Sequence, residues 1–198
     1  MKNPPLILAS ASPRRAALLR QWGIDFQIVP TGVAEVGDPA LSAGETARIN
    51  ACRKALAATS QNPEALVLGV DTVVALGTKL FGKPGNLKEA EKMLLALQGK
   101  THRVLTGVCL LHGQRRRQSV FCEVTFVKFA PLTSAQIRSY HAVVNPLDKA
   151  GAYGLQEKGE MLVEALYGSY TNVIGLPMQR LAAELRSFGA RLPRHRRR

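Results

Sequence analysis

The chain has 198 residues with ordinary apolar content, the size of one domain or of two small lobes sharing a core. No apolar run is long enough to span a bilayer, and the start lacks the order of a secretory leader, so a cytoplasmic protein without membrane contact is expected. The net charge of +13 falls to +5 without the arginines of 191–198 and Arg115, Arg116 and Arg117, and a body that stays basic suits anionic ligands.

The first apolar run predicts a strand over 5–10. It ends in Ser10-Ala11-Ser12-Pro13-Arg14-Arg15, and the following pattern predicts a helix over 13–22 stopped by Gly23. Ser12 stands at the cap position and Pro13 at the first helical position. Arg14 and Arg15 therefore fall on a helical first turn, where backbone N–H groups are free and the helix dipole is positive. Two guanidiniums and two hydroxyls at that place suit a polyphosphate.

A strand over 25–31 and a helix over 43–60 come next, the helix opened by Ser42 and Glu45 at capping-box spacing. The run 65–76 predicts a strongly apolar strand with one carboxylate, Asp71, in its middle. A buried unpaired carboxylate costs several kcal/mol, so Asp71 holds a metal, meets a cation, lies in a polar cleft, or is bonded to nearby backbone or arginine. Thr72 points to the opposite face of a regular strand. A short hairpin reaches residue 82, and a helix over 87–98 starts near Asn86 and ends at Gly99. A long hairpin over 102–130 carries Arg115–Arg117 at its turn. A helix over 134–143, capped by Thr133 with Gln136, precedes a loop, a strand over 161–166, a short strand near 170–174 and a helix over 177–187.

Alternating strands and helices with no repeat and no linker predict one α/β fold over 1–190, a mixed twisted sheet with flanking helices and a cleft. Residues 191–198 read as a basic, solvated tail that offers a contact for nucleic acid. Cys52, Cys109 and Cys122 contain no Cys-x-x-Cys pair, which argues against a zinc ribbon, and read as buried reduced thiols. Gly99-Lys100-Thr101 is no P-loop, since Leu94 stands where glycine is needed and a strand follows. By themselves Lys83 beside a turn, Lys54 within a helix and Glu35 in a loop read as solvated charges. The loop 146–156 is rich in small residues that admit a ligand close to backbone, and Gln156 offers both a donor and an acceptor to a base edge.

Together these segments resemble the Maf family of nucleoside triphosphate pyrophosphatases. The marks are Ser10-Ala11-Ser12-Pro13-Arg14-Arg15, Gly69-Val70-Asp71-Thr72, Gly82-Lys83-Pro84, Gly99-Lys100-Thr101-His102, Asp148 to Gln156, and Val173-Ile174-Gly175-Leu176-Pro177. The resemblance extends from about Leu6 to about Phe188 and implies two lobes around a central cleft. It implies hydrolysis of a nucleoside triphosphate to the monophosphate and pyrophosphate, with Mg²⁺ or Mn²⁺. Asp71 corresponds to the proton acceptor, and Asp71 with Glu35 to the metal ligands. Glu35, Lys54 and Lys83 complete the catalytic cluster. Ser10, Arg14 and Arg15 grip the phosphates, and Arg14, Thr72 and Gln156 match positions linked to base choice. The loop form around Lys149 to Gln156 is similar to the branch acting on dTTP and UTP, and departs from it at Glu157, where glycine is expected. Two alternatives stand beside this reading: a broad pyrophosphatase for non-standard nucleotides, and a non-enzymatic nucleic-acid-binding or division-regulating protein. A homodimer is a further open expectation.

Overall fold

The computed structural model describes residues 4–193, so tail positions 194–198 lie outside the described residues. In chain order the elements are β1 (Leu6–Ala9), α1 (Pro13–Gln21), β2 (Gln27–Ile28), α2 (Ala43–Thr59), β3 (Leu66–Leu76), β4 (Lys79–Phe81) and α3 (Leu87–Leu97). They continue with β5 (Thr101–His112), β6 (Arg117–Phe129), α4 (Ser134–Val143), β7 (Val163–Tyr167), α5 (Tyr170–Ile174) and α6 (Met178–Ser187). This is the mixed α/β architecture expected. The sheet runs β2-β1-β3-β5-β6-β7, with β4 also paired to β3. β1 lies parallel to β2 and β3, and the other pairings are antiparallel.

One detail of pairing makes the cleft. β1 covers β3 only from Leu66 to Gly69, and β4 returns to it only from Val74 to Leu76. On its other side β3 is paired with β5 from Leu66 to Ala75. From Val70 to Val73 one edge of a central strand is left without a strand neighbour. Successive side chains point to opposite faces, so Asp71 and Thr72 open to the two sides of this gap.

Two large apolar clusters flank it. One joins Leu8, Leu19, Leu68 and Phe121 with Leu181 and Leu185 of α6. The other joins Leu94, Phe129, Ile137 and Tyr140 under α3 and α4. These are the two lobes. α2 covers the opposite face through an alanine-rich stripe, Ala51, Ala55 and Ala58. It lies so close that a Cβ on Gly69 would collide with the Ala51 carbonyl oxygen, and one on Gly107 with that of Ala47. Glycine at those positions sets the distance between helix and sheet.

Three local expectations are corrected. The segment 170–174 is a helix, because the Ser169 hydroxyl accepts from Asn172 N at 3.2 Å and Gly175, at φ 118°, ends it after one turn. The strand expected over 25–31 shrinks to two exposed edge residues bonded to β1 alone. Ser12 occupies the cap position of α1, but its hydroxyl makes no cap bond. The capping boxes at Ser42 with Glu45 and Thr133 with Gln136 are both present.

Candidate active site

Asp71 is 3% exposed, and its carboxylate is held from α2. Lys54 Nζ donates to Asp71 Oδ1 at 2.7 Å and to Glu35 Oε1 at 2.8 Å, so one ammonium joins two carboxylates. Asn50 Nδ2 donates to Asp71 Oδ2 at 3.2 Å and to Val36 O at 3.2 Å, while Asn50 Oδ1 accepts from Val36 N at 2.7 Å. The amide of Asn50 thus anchors both Asp71 and the loop that carries Glu35. Thr46, Asn50 and Lys54 recur every four residues, one polar stripe on a helix whose neighbouring stripe is alanine.

The two carboxylates are pushed apart in acidity. Burial raises Asp71 above the ordinary aspartate range, Glu35's charge adds to that, and Lys54 and Arg15 oppose it without prevailing. For Glu35 burial also works upward, but the hydrogen bond and charge of Lys54, with the charge of Lys83, hold it below its ordinary value. Divergent acidities in neighbouring carboxyls separate a proton-accepting group from a permanently anionic one.

On the other side of the gap Arg15 is almost fully committed. Its Nε donates to Gly175 O at 3.0 Å, its Nη1 to Ser10 Oγ at 2.8 Å and Val70 O at 3.1 Å, and its Nη2 to Thr72 Oγ1 at 3.1 Å. It takes the place of a strand on the open edge of β3, and one of its five N–H groups is left over for a ligand. Burial lowers the guanidinium to about 10, offset by the charge of Asp71, so it stays protonated at neutral pH. Thr72 Oγ1 also meets Thr106 Oγ1 at 3.0 Å. Arg14 crosses the cleft mouth to Asp148, with Nη1 on the carboxylate at 2.5 Å and Nη2 on the carbonyl at 3.1 Å. Lys83 and Gln156 stand exposed on the cleft wall.

Ser10, Arg14, Arg15, Glu35, Lys54, Asp71, Thr72, Lys83 and Gln156 therefore line one cavity of about 520 Å³, within the range of small-molecule sites. Among the described residues no three His, Cys, Asp or Glu side chains cluster as metal ligands. Two carboxylates on one ammonium, facing a cavity that Arg14, Arg15 and Lys83 also line, still fit a magnesium-type ion. Such an ion takes one or two carboxylates and completes its shell with water and substrate oxygens.

A family model described as "Maf-like protein" matches residues 5–188. The chain belongs to the Maf family. A dTTP/UTP pyrophosphatase of Pelotomaculum thermopropionicum is 43% identical over 184 residues, spanning 93% of this chain and 96% of that one. The dTTP/UTP pyrophosphatase of Symbiobacterium thermophilum is 46% identical over 93% of this chain and 94% of its own. That of Bacillus anthracis is 42% identical over 92% and 95%. The solved structure of a HAM1 protein from Coxiella burnetii shares the fold, with a TM-score of 0.52 at 15% identity over 93% of this chain and 99% of that one.

In this Maf chain the departure at Glu157 does not bring a carboxylate into the cleft. Glu157 turns to Lys149, Oε2 to Nζ at 3.1 Å, and Lys149 also donates to Asp148 Oδ1 at 2.8 Å and Asn145 O at 2.7 Å. Asn50 and Asp148 are the site residues that reading the sequence alone left without a role. The four-residue spacing of Thr46, Asn50 and Lys54 was the signal for the first; no local pattern marks the second. No helix among the described residues is long and apolar enough to cross a membrane.

Proposed function

We propose that this chain is a nucleoside triphosphate pyrophosphatase that hydrolyses dTTP and UTP to the monophosphate and pyrophosphate. The observation that carries the reading is Asp71, a buried carboxylate on the unpaired edge of β3, opposite Arg14, Arg15 and Lys83 across one cavity. The identity to dTTP/UTP pyrophosphatases over nearly full length supports the substrate. So does the pairing of Glu157 with Lys149, which keeps an extra negative charge off the wall that holds Gln156.

The residues divide the work as follows. Arg14 and Lys83 bind the phosphate chain, with Ser10 and the first turn of α1 at its other side. Arg15 holds the wall in place and adds positive charge close to the developing negative charge, which favours the transition state in a site sheltered from water. Asp71 accepts the proton of the attacking water, and burial, by raising its pKa, makes it a stronger base than an exposed aspartate. Lys54 and Asn50 fix its two oxygens so that little reorganisation is needed at reaction. Thr72 and Gln156 flank the base. Asp71 and Glu35 would hold Mg²⁺ or Mn²⁺, which when bound supplies Lewis-acid polarisation of phosphoryl oxygens.

The test is pyrophosphate release from dTTP, UTP, CTP, GTP and a methylated nucleotide, each with Mg²⁺, with Mn²⁺ and with chelator. The reading expects kcat/KM to favour dTTP and UTP and chelator to abolish turnover. Equal kcat/KM across the panel would replace it with a broad pyrophosphatase, and no release from any nucleotide would end it.

A further inference from the structure

We propose that Cys52 and Cys109 form a peroxide-oxidisable thiol pair, with Cys52 the attacking sulfur and Cys109 the resolving one, closing to a disulfide between α2 and β5. Neither residue lines the catalytic cavity.

Of the three thiols expected to be buried, Cys109 is buried, while Cys52 and Cys122 are partly exposed. Gln118 Nε2 of β6 lies 3.8 Å from Cys52 Sγ and 3.6 Å from Cys109 Sγ, so one amide donor serves both sulfurs. Cys52 is partly exposed on α2, and Cys109 behind it is fully buried on β5. One sulfur is therefore within reach of a small oxidant, and the other is shut off from solvent. The two elements are also unusually near each other. Gly107 stands two residues before Cys109 on the same face of β5, and it abuts the backbone of Ala47 on α2. A bond across this interface joins elements that are already in backbone contact.

The surroundings favour a thiolate at Cys52. A hydrogen bond from Cys109 lowers it to about 7 against the opposing effect of burial, helped by Gln118 and by the charge of Arg48. Cys109 is pushed upward by the same hydrogen bond and by burial. Cys122 is a built-in control. It too is partly exposed and feels Arg48, yet burial raises it above an ordinary thiol. A low-pKa, accessible thiol beside a second cysteine is the arrangement that reacts with peroxide and then resolves.

The chemistry balances with hydrogen peroxide as the oxidant. The Cys52 thiolate attacks one peroxide oxygen. The S–O bond forms, the O–O bond breaks, and the departing hydroxide takes a proton to become water. Cys109, losing its proton, attacks the Cys52 sulfur. The S–S bond forms, the S–O bond breaks, and a second water leaves. Two thiols are oxidised by two electrons and one peroxide is reduced. The product would tie α2 to β5 near the turn that carries Lys54.

The full chain is treated with hydrogen peroxide, digested without reductant and read by mass spectrometry. In parallel, iodoacetamide labelling is followed at each cysteine against pH. The expected result is a linked Cys52–Cys109 peptide pair lighter by two hydrogens, reversed by dithiothreitol, and trapped sulfenic acid at Cys52 in Cys109→Ser. At pH 7 Cys52 is labelled at least about fivefold faster than Cys122, with a rate that inflects near pH 7. The proposal is overturned if wild-type Cys52 stops at sulfenic or sulfinic acid as it does in Cys109→Ser. It is overturned equally if Cys122 is labelled or oxidised first. Labelling and peptide mapping of the wild type need no variant to fold.

Discussion

Lys54 and Arg14 are both cations on helices facing one cavity, yet they are held in different ways. Lys54 sits in the middle of α2, which is pressed onto the sheet at Gly69 and Gly107, and its ammonium is bonded to two carboxylates. Arg14 sits on a first turn and reaches 134 residues along the chain to Asp148, which belongs to a loop and keeps a second partner in Lys149. The inner wall is built on a strand and a helix, and both oxygens of Asp71 are held. The outer wall is built on loops whose ion pair can exchange. Proton transfer needs fixed oxygens, whereas entry of a phosphate chain needs a cation able to change partners without leaving its former partner unpaired.

The largest expected effect breaks the inner wall at its centre. Asp71→Asn lowers kcat at least about a hundredfold while circular dichroism and thermal melting stay native. The same residue fixes the pH profile. Because burial raises Asp71, the folded enzyme keeps a proton there at pH values where an exposed aspartate, at about 3.9, has lost it. The anion needed for catalysis is lost as pH falls through that higher value. The acidic limb of kcat/KM therefore lies above the ordinary aspartate range; a limb at or below it would reassign the base. Glu35, shifted the other way, stays ionised through that limb.

Next comes the support. Gly107→Ala forces α2 off β5 and lowers unfolding free energy by roughly 1–3 kcal/mol in a urea titration. Asn50→Ala releases one Asp71 oxygen and both backbone groups of Val36. It costs about 1–3 kcal/mol of stability and lowers kcat/KM roughly tenfold. The smallest effect tests the outer wall. Asp148→Asn removes the competitor of the phosphate for Arg14, so pyrophosphate binds about two- to fivefold more tightly by calorimetry, with kcat within about twofold. Weaker binding would make Asp148 a fixed strut and erase the contrast between the walls.

The sequence showed the fold class, most of the elements and the exceptional position of Asp71 for a simple reason. Periodicity, caps and glycine stops are local, and a carboxylate inside an apolar strand demands a partner wherever it occurs. It misread 170–174 because the β-branched Thr171 and Val173 weighed toward a strand, while the Ser169 cap and Gly175 stop decided for a helix. Lys54 and Glu35 looked like solvated charges until the family resemblance gave them weight. Nothing local distinguishes a lysine facing water from one facing a buried aspartate on another element. Tertiary structure alone decided that β1 and β4 leave β3 unpaired from Val70 to Val73, that Arg15 fills the edge, that Arg14 meets Asp148 and that two distant thiols share Gln118. Each joins elements that lie apart in the sequence, so it is fixed by how those elements pack and not by the pattern of either one.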